Sequence, residues 1–313
     1  MIPLAEIRAA AERIAHTTRR TPLIPASATR ERIAGDFTLT LKLECLQVTG
    51  SFKARGAINA VLTLSPEALG RGVITASGGN HGLAVAYAAW VAGVPGTVLL
   101  PQSASTAKIA RLRDWGAEVI VEGEAWDDAN RAALAMAEAR GLTYLHPFAD
   151  RAVLAGQGTV GSEIMDADPA IDMLIVAIGG GGLIGGVASA VRAIRPGARV
   201  IGVEPTGAPT LTRSLQAGRV IELDRVDTRA GTLAPRMSEA VNLGIVQEAV
   251  ADIVLVTDGE MERAARWLWF EFAIAAELSG AAAIAALLSG KLKPPAGTHV
   301  CAIICGAGTD GIA

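Results

Sequence analysis

The stretch GSFKARGA at residues 50–57 joins a predicted strand to a predicted helix. Residues 37–43 before it alternate apolar and polar side chains, as strands do, and apolar residues recur at helical spacing from Ala54 onward. Ser51 is the expected N-cap of this helix, because its hydroxyl can accept a hydrogen bond from a free amide of the first turn. Lys53 then lies within that first turn.

This position favours unusual chemistry for Lys53. The positive end of the helix dipole and the neighbouring Arg55 both disfavour a second cation, so both are expected to lower the pKa of Lys53. A partly neutral lysine can form a Schiff base with a carbonyl cofactor. The alternative is an ordinary surface lysine on a helix, which is the commoner situation for such a stretch taken alone.

Length and composition predict a two-domain α/β protein. The 313 residues can bury a large core, and 51% of them are apolar but only 4% aromatic, which suits helices packed on parallel sheets. The net charge of −3, with both signs interspersed, indicates neither a nucleic-acid partner nor a membrane surface. The apolar stretch 273–288 is interrupted by Glu277 and Ser279, so no transmembrane span is expected. Three cysteines without framework spacing predict reduced thiols and a cytoplasmic protein.

Strand-like and helix-like runs alternate along most of the chain, as βα units do. The strand-like runs form one series at 73–76, 97–100, 118–121 and 143–145 and a second at 173–178, 200–203, 253–256 and 299–304. Within the first series a helix is expected at 125–139. This order predicts two parallel-sheet lobes, one of which interrupts the other.

Two glycine-rich junctions between strand and helix are candidate anion sites. Gly179-Gly180-Gly181-Gly182 precedes a helix that begins near Leu183, and the free amides there favour a phosphate over mere close packing.

The second junction, SGGNHG at 77–82, offers free amides and the hydroxyl of Ser77 to a carboxylate. Asn80 adds a donor and an acceptor. For His81 a hydrogen bond within the turn is favoured over a role as general base.

A competing hypothesis rests on the first junction. Residues 180–185 match the GxGxxG dinucleotide fingerprint, and Glu204 follows at the distance of a ribose-binding acid. This would indicate an NAD(P)-dependent oxidoreductase. Such an enzyme has no evident use for the second junction or for Lys53, whereas an aldehyde cofactor with a phosphate and an amino-acid substrate needs all three.

An ordered set of motifs resembles a known family. The motifs are GSFKxRGA at 50–57, SxGNH at 77–81, HPF with AGQGT within 146–159, GGGG at 179–182, GVEP at 202–205 and CGAG at 305–308. Together they resemble the serine/threonine dehydratases, pyridoxal-phosphate enzymes of fold type II that include serine racemase and are similar in fold to tryptophan synthase β. The resemblance spans nearly the whole chain.

The resemblance implies a large cofactor-binding domain at 1–65 and 149–313 and a small domain at 66–148 inserted into it. It further implies that Lys53 is the catalytic lysine that holds the cofactor, a homodimer, and β-elimination of a β-hydroxy amino acid to a 2-oxo acid and ammonia.

By the same resemblance, further residues acquire roles. Phe52 packs beside the cofactor, Asn80 bonds the ring's 3′ oxygen, Gly179 to Gly182 with Leu183 bind the phosphate, Cys305 faces the pyridine nitrogen, and Ser77, Gly78, Gly79 and His81 form the substrate-carboxylate loop. Cys305 is alternatively a buried strand thiol on the face of Cys301.

The sequence departs from the family at two places. Gly78 stands where serine racemase has a second serine that acts as a base, so dehydration without racemisation is expected. Glu204 and Ala208 resemble two ligands of the family's cation site, but Thr210 replaces the usual aspartate, so no metal is predicted. The preferred substrate among threonine, serine, hydroxyaspartate and aryl-serines stays open, as does a binding protein that has kept the fold without the activity.

Overall fold

The structure is a computed structural model that describes residues 1–102, 104–124 and 126–312. Its strands are, in chain order, β1 (Leu23–Pro25), β2 (Phe37–Lys42), β3 (Val73–Ala76), β4 (Gly96–Leu100), β5 (Glu118–Val121), β6 (Thr143–Tyr144), β7 (Met173–Ala177), β8 (Arg199–Pro205), β9 (Asp252–Val256) and β10 (Thr298–Ile303).

The α-helices lie between these strands and cover the sheets. They are α1 (Leu4–Ile14), α2 (Lys53–Leu62), α3 (Pro66–Arg71), α4 (Asn80–Ala92), α5 (Thr106–Asp114), α6 (Trp126–Arg140), α7 (Arg151–Ala167), α8 (Gly182–Ile194), α9 (Thr210–Ala217), α10 (Ala240–Ala249), α11 (Asp258–Phe272) and α12 (Leu278–Leu288). None of the helices within these described ranges is long and apolar enough to cross a membrane.

Two sheets carry the architecture. The larger has the strand order β1-β2-β10-β7-β8-β9, and the smaller has the order β5-β4-β3-β6. Every described strand pair is parallel except β1 with β2, which is antiparallel at the edge. The predicted α/β class with two parallel sheets is thus confirmed. We propose that the two sheets belong to two domains with the boundaries expected from the sequence, since residues 73–144 build the smaller sheet alone.

The elements that the sequence did not predict are short or lack clear periodicity. They include β1, α3, α7, α9 and α10. The helix expected at 125–139 is α6, and its predicted first residue, Ala125, lies outside the described residues.

The glycines of α7 and α8 explain how these two helices pack closely. A Cβ at Gly186 would lie 2.5 Å from the amide nitrogen of Gly158, and one at Gly156 would lie 2.5 Å from the carbonyl oxygen of Arg55. Backbones at these points therefore touch, which only glycine allows. Close packing of this kind is what the high glycine and low aromatic content predict.

Three segments outside the two sheets, 50–52, 275–277 and 305–308, lie side by side just beyond β10. Antiparallel bridges join Ser51 to Gly306 and Ala276 to Ala307. The arrangement brings together three parts of the chain that are far apart in sequence. It sets the start of α2, the start of α12 and the end of β10 next to one another.

Candidate active site

Lys53 is the first residue of α2, and its amine lies among buried groups. Its Nζ donates a hydrogen bond of 2.6 Å to the carbonyl oxygen of Pro147. Burial lowers the pKa of Lys53 from 10.5 to about 8, and Cys305 and Glu277 partly oppose this change. The predicted lowering of the Lys53 pKa is therefore confirmed. A lysine amine with an appreciable neutral fraction near pH 8 is suited to attack a carbonyl group.

Two predictions about the surroundings of Lys53 are wrong. The residue at the N-cap position of α2 is Phe52 and not Ser51. Ser51 is extended and bridges to Gly306, and its hydroxyl makes no capping hydrogen bond. Arg55 is not among the groups that lower the pKa of Lys53. Its charge is neutralised by two carboxylates on the other side of the helix.

These carboxylates belong to a buried ion network. The guanidinium of Arg55 contacts Glu44 at 2.8 Å and Glu163 at 2.7 Å, and the amine of Lys42 contacts Glu163 at 2.7 Å. The side chains of Arg55, Lys42 and Glu44 are essentially inaccessible to solvent. The network ties α2, β2 and α7 together immediately behind the helix turn that carries Lys53.

The glycine run at 179–182 forms the entry to α8. Gly181 adopts the left-handed conformation, with φ of 94°, and caps α8 without any side-chain hydrogen bond. The first amides of a helix have no acceptor within the helix, and here Gly182 and Leu183 are buried as well. Their N–H groups can therefore bind an anion, as the glycine run predicts.

The glycine run is also closely packed against neighbouring residues, although its sequence favoured a phosphate site over close packing. A Cβ at Gly180 would lie 2.3 Å from Cδ1 of the Phe148 ring, and one at Gly182 would lie 2.8 Å from its Cβ. Phe148 directly follows Pro147, whose carbonyl accepts from Lys53. The loop at 146–149 therefore links the lysine to the glycine run, and the two features lie in one place.

Asn242 on α10 fixes this link and was not identified from the sequence. Its Nδ2 donates to the carbonyl oxygens of Phe148, at 3.0 Å, and Gly180, at 2.7 Å. Its Oδ1 is buried and has no hydrogen-bond partner among the described residues. No motif signals such a residue, because α10 lies in a region whose sequence shows little periodicity.

The second glycine-rich junction lies at the start of α4. Gly79 is the N-cap and makes no side-chain capping bond, so the first amides of α4 are free to bind a ligand. The Ser77 hydroxyl accepts from the Gly79 amide at 3.3 Å. His81 donates from Nε2 to the carbonyl of Leu145 at 3.0 Å, and burial lowers its pKa from 6.5 to about 3. His81 is thus a buried hydrogen-bonding residue, but the predicted bond within the turn is wrong, because its partner Leu145 lies just after β6.

Asn80 and Cys305 both lie near the carboxylate of Glu277, which the sequence did not identify as a site residue. The Asn80 Nδ2 donates to Glu277 Oε1 at 2.8 Å. The Cys305 thiol donates to the carbonyl of Ser279 at 3.4 Å, and burial raises the pKa of this thiol, which is therefore neutral. The sequence signal for Glu277 was its position as the one acidic residue in the apolar stretch 273–288.

The carboxylate of Glu204 is not free to bind a ribose, as the oxidoreductase hypothesis requires. Its carboxylate is buried and accepts from the amides of Leu211, at 2.7 Å, and Thr212, at 2.9 Å, at the start of α9. Both oxygens are thus engaged by protein donors. Among the residues that the structure describes, no group of three or more His, Cys, Asp or Glu residues could hold a metal ion.

A separate cavity of about 830 Å³ contains none of these site residues. Its lining includes the side chains of Lys42, Glu163 and His299, from β2, α7 and β10. Lys42 and Glu163 belong to the ion network of Arg55, so this cavity lies on that side of the molecule.

The fold and the site define a class of protein: an α/β protein with a half-buried lysine of lowered pKa, two glycine-rich helix entries with free amides and a neutral thiol close together. A family model described as pyridoxal-phosphate dependent enzyme matches residues 14–306. The chain belongs to this family of pyridoxal-phosphate dependent enzymes.

Known proteins resemble the chain over nearly its full length. The L-threonine ammonia-lyase of Geobacter sulfurreducens is 39% identical over 310 residues, which cover 99% of this chain and 76% of that protein. The structure of maize serine racemase superposes with a TM-score of 0.93 at 33% identity and covers 97% of this chain and 93% of its own. Threonine deaminase isoform 2 of Solanum lycopersicum, in its processed form, superposes with a TM-score of 0.91 at 36% identity, with coverages of 97% and 83%. The predicted fold type II architecture is therefore confirmed.

Proposed function

We propose that this protein is a pyridoxal-phosphate dependent ammonia-lyase. Its substrate is a β-hydroxy amino acid such as L-threonine or L-serine, from which it forms a 2-oxo acid and ammonia. Similarity to an L-threonine ammonia-lyase over 99% of the chain supports the reaction. The observation that carries the proposal is the amine of Lys53, with its pKa lowered to about 8, held by the loop that packs on the glycine run.

The residues present fit the cofactor. Buried amides at the entry of α8 suit a phosphate, and the amine of Lys53 suits an aldehyde. The hydroxyl of Ser51 is buried without a partner two residues before Lys53, so a polar atom there is free to meet a ligand. When bound, pyridoxal phosphate supplies the electron sink that makes removal of the substrate Cα proton feasible.

Each group then has one task. The amides of Gly179 to Gly182 and Leu183 would hold the phosphate, Phe52 would pack against the ring, and Asn80 would donate a hydrogen bond to the 3′ oxygen of the ring. The loop of Ser77, Gly78 and Gly79, fixed from behind by His81, holds the substrate carboxylate through the free amides of α4.

Lys53 is the base of the reaction. With the cofactor bound, the amine of Lys53 would accept the proton from the substrate Cα, because burial keeps a useful fraction of this amine neutral. The neutral thiol of Cys305 would be the protein group for the ring nitrogen, and it would not stabilise a positive charge there as a carboxylate would. This would favour loss of the β-hydroxyl of the substrate.

The nicotinamide alternative is disfavoured by Glu204. A ribose-binding acid must offer free carboxylate oxygens at the glycine run. The oxygens of Glu204 are instead occupied by donors of α9.

Replacement of Lys53 by Ala tests the proposal. The purified wild-type protein should be yellow, borohydride should bleach it and fix the cofactor on the peptide that contains Lys53, and 2-oxo acid should form from a panel of β-hydroxy amino acids. Lys53→Ala should lose both properties, whereas Lys108→Ala, a change of an exposed lysine on α5, should keep them. Turnover by Lys53→Ala at the wild-type rate would overturn the assignment. A yellow wild type that turns over no amino acid would instead indicate a binding protein.

We infer that the active form is a cytoplasmic homodimer, without nucleic-acid or membrane partners. Trp269 and Phe270 on α11 are 51% and 65% exposed, which supports burial of this helix end against a second copy. The buried free thiols Cys45, Cys301 and Cys305 support a reducing compartment. Sedimentation of wild type and Phe270→Glu tests the dimer, and a monomeric wild type contradicts it.

A further inference from the structure

Glu277 lies immediately before α12, and its carboxylate is held by a chain of hydrogen bonds. Its Oε1 accepts from Asn80 Nδ2 at 2.8 Å and from Ser279 Oγ at 2.5 Å, and Ser279 Oγ accepts in turn from Thr232 Oγ1 at 2.6 Å. A Cβ on Gly306 would lie 2.3 Å from the same oxygen. The carboxylate is therefore held firmly between α4 and the 305–308 segment.

This contact determines which way the Asn80 amide points. An ionised carboxylate only accepts hydrogen bonds, so it must face the Nδ2 end of Asn80 and not the Oδ1 end. One of the two hydrogens on Nδ2 goes to Glu277, and the second is left for another acceptor. The amide nitrogen, rather than the amide oxygen, is thus presented to the site.

The charge of Glu277 also acts on Lys53. The titratable groups that interact with Lys53 are Cys305 beyond β10, Glu277 before α12, His81 on α4 and His146 in the loop before α7. The two histidines are held neutral at pH 7 by burial, and the thiol is neutral as well. Glu277 is the carboxylate of this set. Burial and the nearby Asp310 raise the pKa of Glu277, whereas the hydrogen bonds from Ser279 and Asn80 favour its ionised form. In that form Glu277 favours the protonated amine of Lys53.

We propose that Glu277 is a positioning residue of the cofactor site, which presents the amide nitrogen of Asn80 to the cofactor and stabilises the protonated amine of Lys53 by its charge. The first half of this role rests on the proposed function, because it concerns the ring oxygen of pyridoxal phosphate. The second half concerns only this chain and is independent of catalysis.

The charge effect is measured on the full chain after removal of cofactor. The rate at which an acylating reagent labels Lys53 is followed against pH by mass spectrometry. The midpoint should lie near pH 8 in the wild type and lower in Glu277→Gln, which keeps an acceptor oxygen but loses the charge. Glu248→Gln is the matched control, since Glu248 is exposed on α10 and does not act on Lys53. An unchanged midpoint in Glu277→Gln, or an equal shift in Glu248→Gln, overturns the charge effect.

The orienting effect is measured by titration with pyridoxal phosphate. Glu277→Ala should bind it roughly ten- to a hundredfold more weakly than wild type, because the loss of a hydrogen bond to a charged group has about that effect. Glu277→Gln should bind more tightly than Glu277→Ala. Equal affinity of all three proteins overturns the orienting role, whereas a wild type that does not bind pyridoxal phosphate overturns the proposed function and leaves the labelling result to decide on the charge.

Discussion

The carboxylate of Glu44 holds the guanidinium of Arg55 through two hydrogen bonds of 2.8 Å, one from Nε and one from Nη2. Both side chains are fully buried. Glu163 binds the remaining edge of the guanidinium and also Lys42, so two cations and two anions share one buried cluster. The cluster explains why Arg55 is part of the same motif as Lys53 without acting on its charge.

Replacement of Arg55 by Met should therefore destabilise the protein strongly. The change leaves Glu44 buried beside an apolar side chain, and removal of one partner from a buried ion pair costs about 3–5 kcal/mol. Urea unfolding of wild type and variant measures the difference in free energy. Arg225→Met is the control, because Arg225 pairs with Asp227 at the surface, and it should unfold like the wild type. Similar unfolding curves for Arg55→Met and wild type would show that the network contributes little.

The loop histidine His146 should make the protein less stable as the pH falls. Its Nδ1 accepts from the amides of Phe148 and Ala149, and burial, aided by Lys53, lowers its pKa from 6.5 to about 4. The unfolded chain then binds the proton more readily than the folded one between these pH values. The stability that His146 contributes is complete above pH 6.5 and is lost as the pH falls through about 4.

Comparison of wild type with His146→Asn measures this effect, since the asparagine oxygen can replace Nδ1 as an acceptor but does not titrate. The unfolding free energy of the wild type should fall more steeply than that of the variant between pH 7 and pH 4. Parallel curves for the two proteins argue against a neutral, buried His146. His81 contributes a similar slope to both proteins, so it does not affect the difference.

The sequence predicts the fold well where periodicity is strong. The limits of β3 and β5 match the strand-like runs at 73–76 and 118–121 residue for residue, because each strand carries three consecutive β-branched residues. The sequence does not predict α10, because the apolar residues of this helix show little helical periodicity. It also does not reveal the antiparallel edge strand β1, whose three residues are too few for a pattern.

In the site, as in the fold, the sequence predicts the features that depend on local geometry and misses those that depend on long-range contacts. Motifs at strand-to-helix junctions identify Lys53 and the glycine run, because the free amides there follow from local geometry. Glu277 and Asn242 were missed, since each acts through contacts with residues far away in sequence. The unpaired Ser51 hydroxyl could not be foreseen either, because it results from the bridge between Ser51 and Gly306.

Removal of divalent cations should not affect the wild-type protein. The hydroxyl of Thr210 donates to the carbonyl of Pro235 at 2.8 Å, and Glu204 is occupied by amides of α9. The Thr210 hydroxyl and the Glu204 carboxylate therefore already have hydrogen-bond partners within the protein, where a cation would otherwise bind. The melting temperature in EDTA should equal that in magnesium, and a loss of stability in EDTA would contradict this reading of the site.

Thr210→Asp provides the corresponding gain of function. An aspartate at this buried position directs a carboxylate oxygen at the carbonyl oxygen of Pro235, which is repulsive unless a cation lies between them. The variant should be less stable than wild type in EDTA and should be stabilised by calcium or magnesium. Thr210→Ala, which lacks both the hydroxyl and the carboxylate, should not respond to cations.

Gly78 should prevent racemisation of the substrate. Glycine carries no proton that it could deliver to the face of the substrate opposite Lys53, so L-serine should yield 2-oxo acid and no D-serine. A Cβ at position 78 would approach only Leu100 Cδ2 among the described residues, at 3.1 Å, so a serine fits after a small shift. Chiral chromatography should detect D-serine from Gly78→Ser but not from Gly78→Ala, which fills the same space without a hydroxyl. Formation of D-serine by the wild type at a rate near that of elimination would contradict this prediction. A group other than the glycines at the start of α4 would then have to supply the second proton, since glycine has no side chain that transfers a proton.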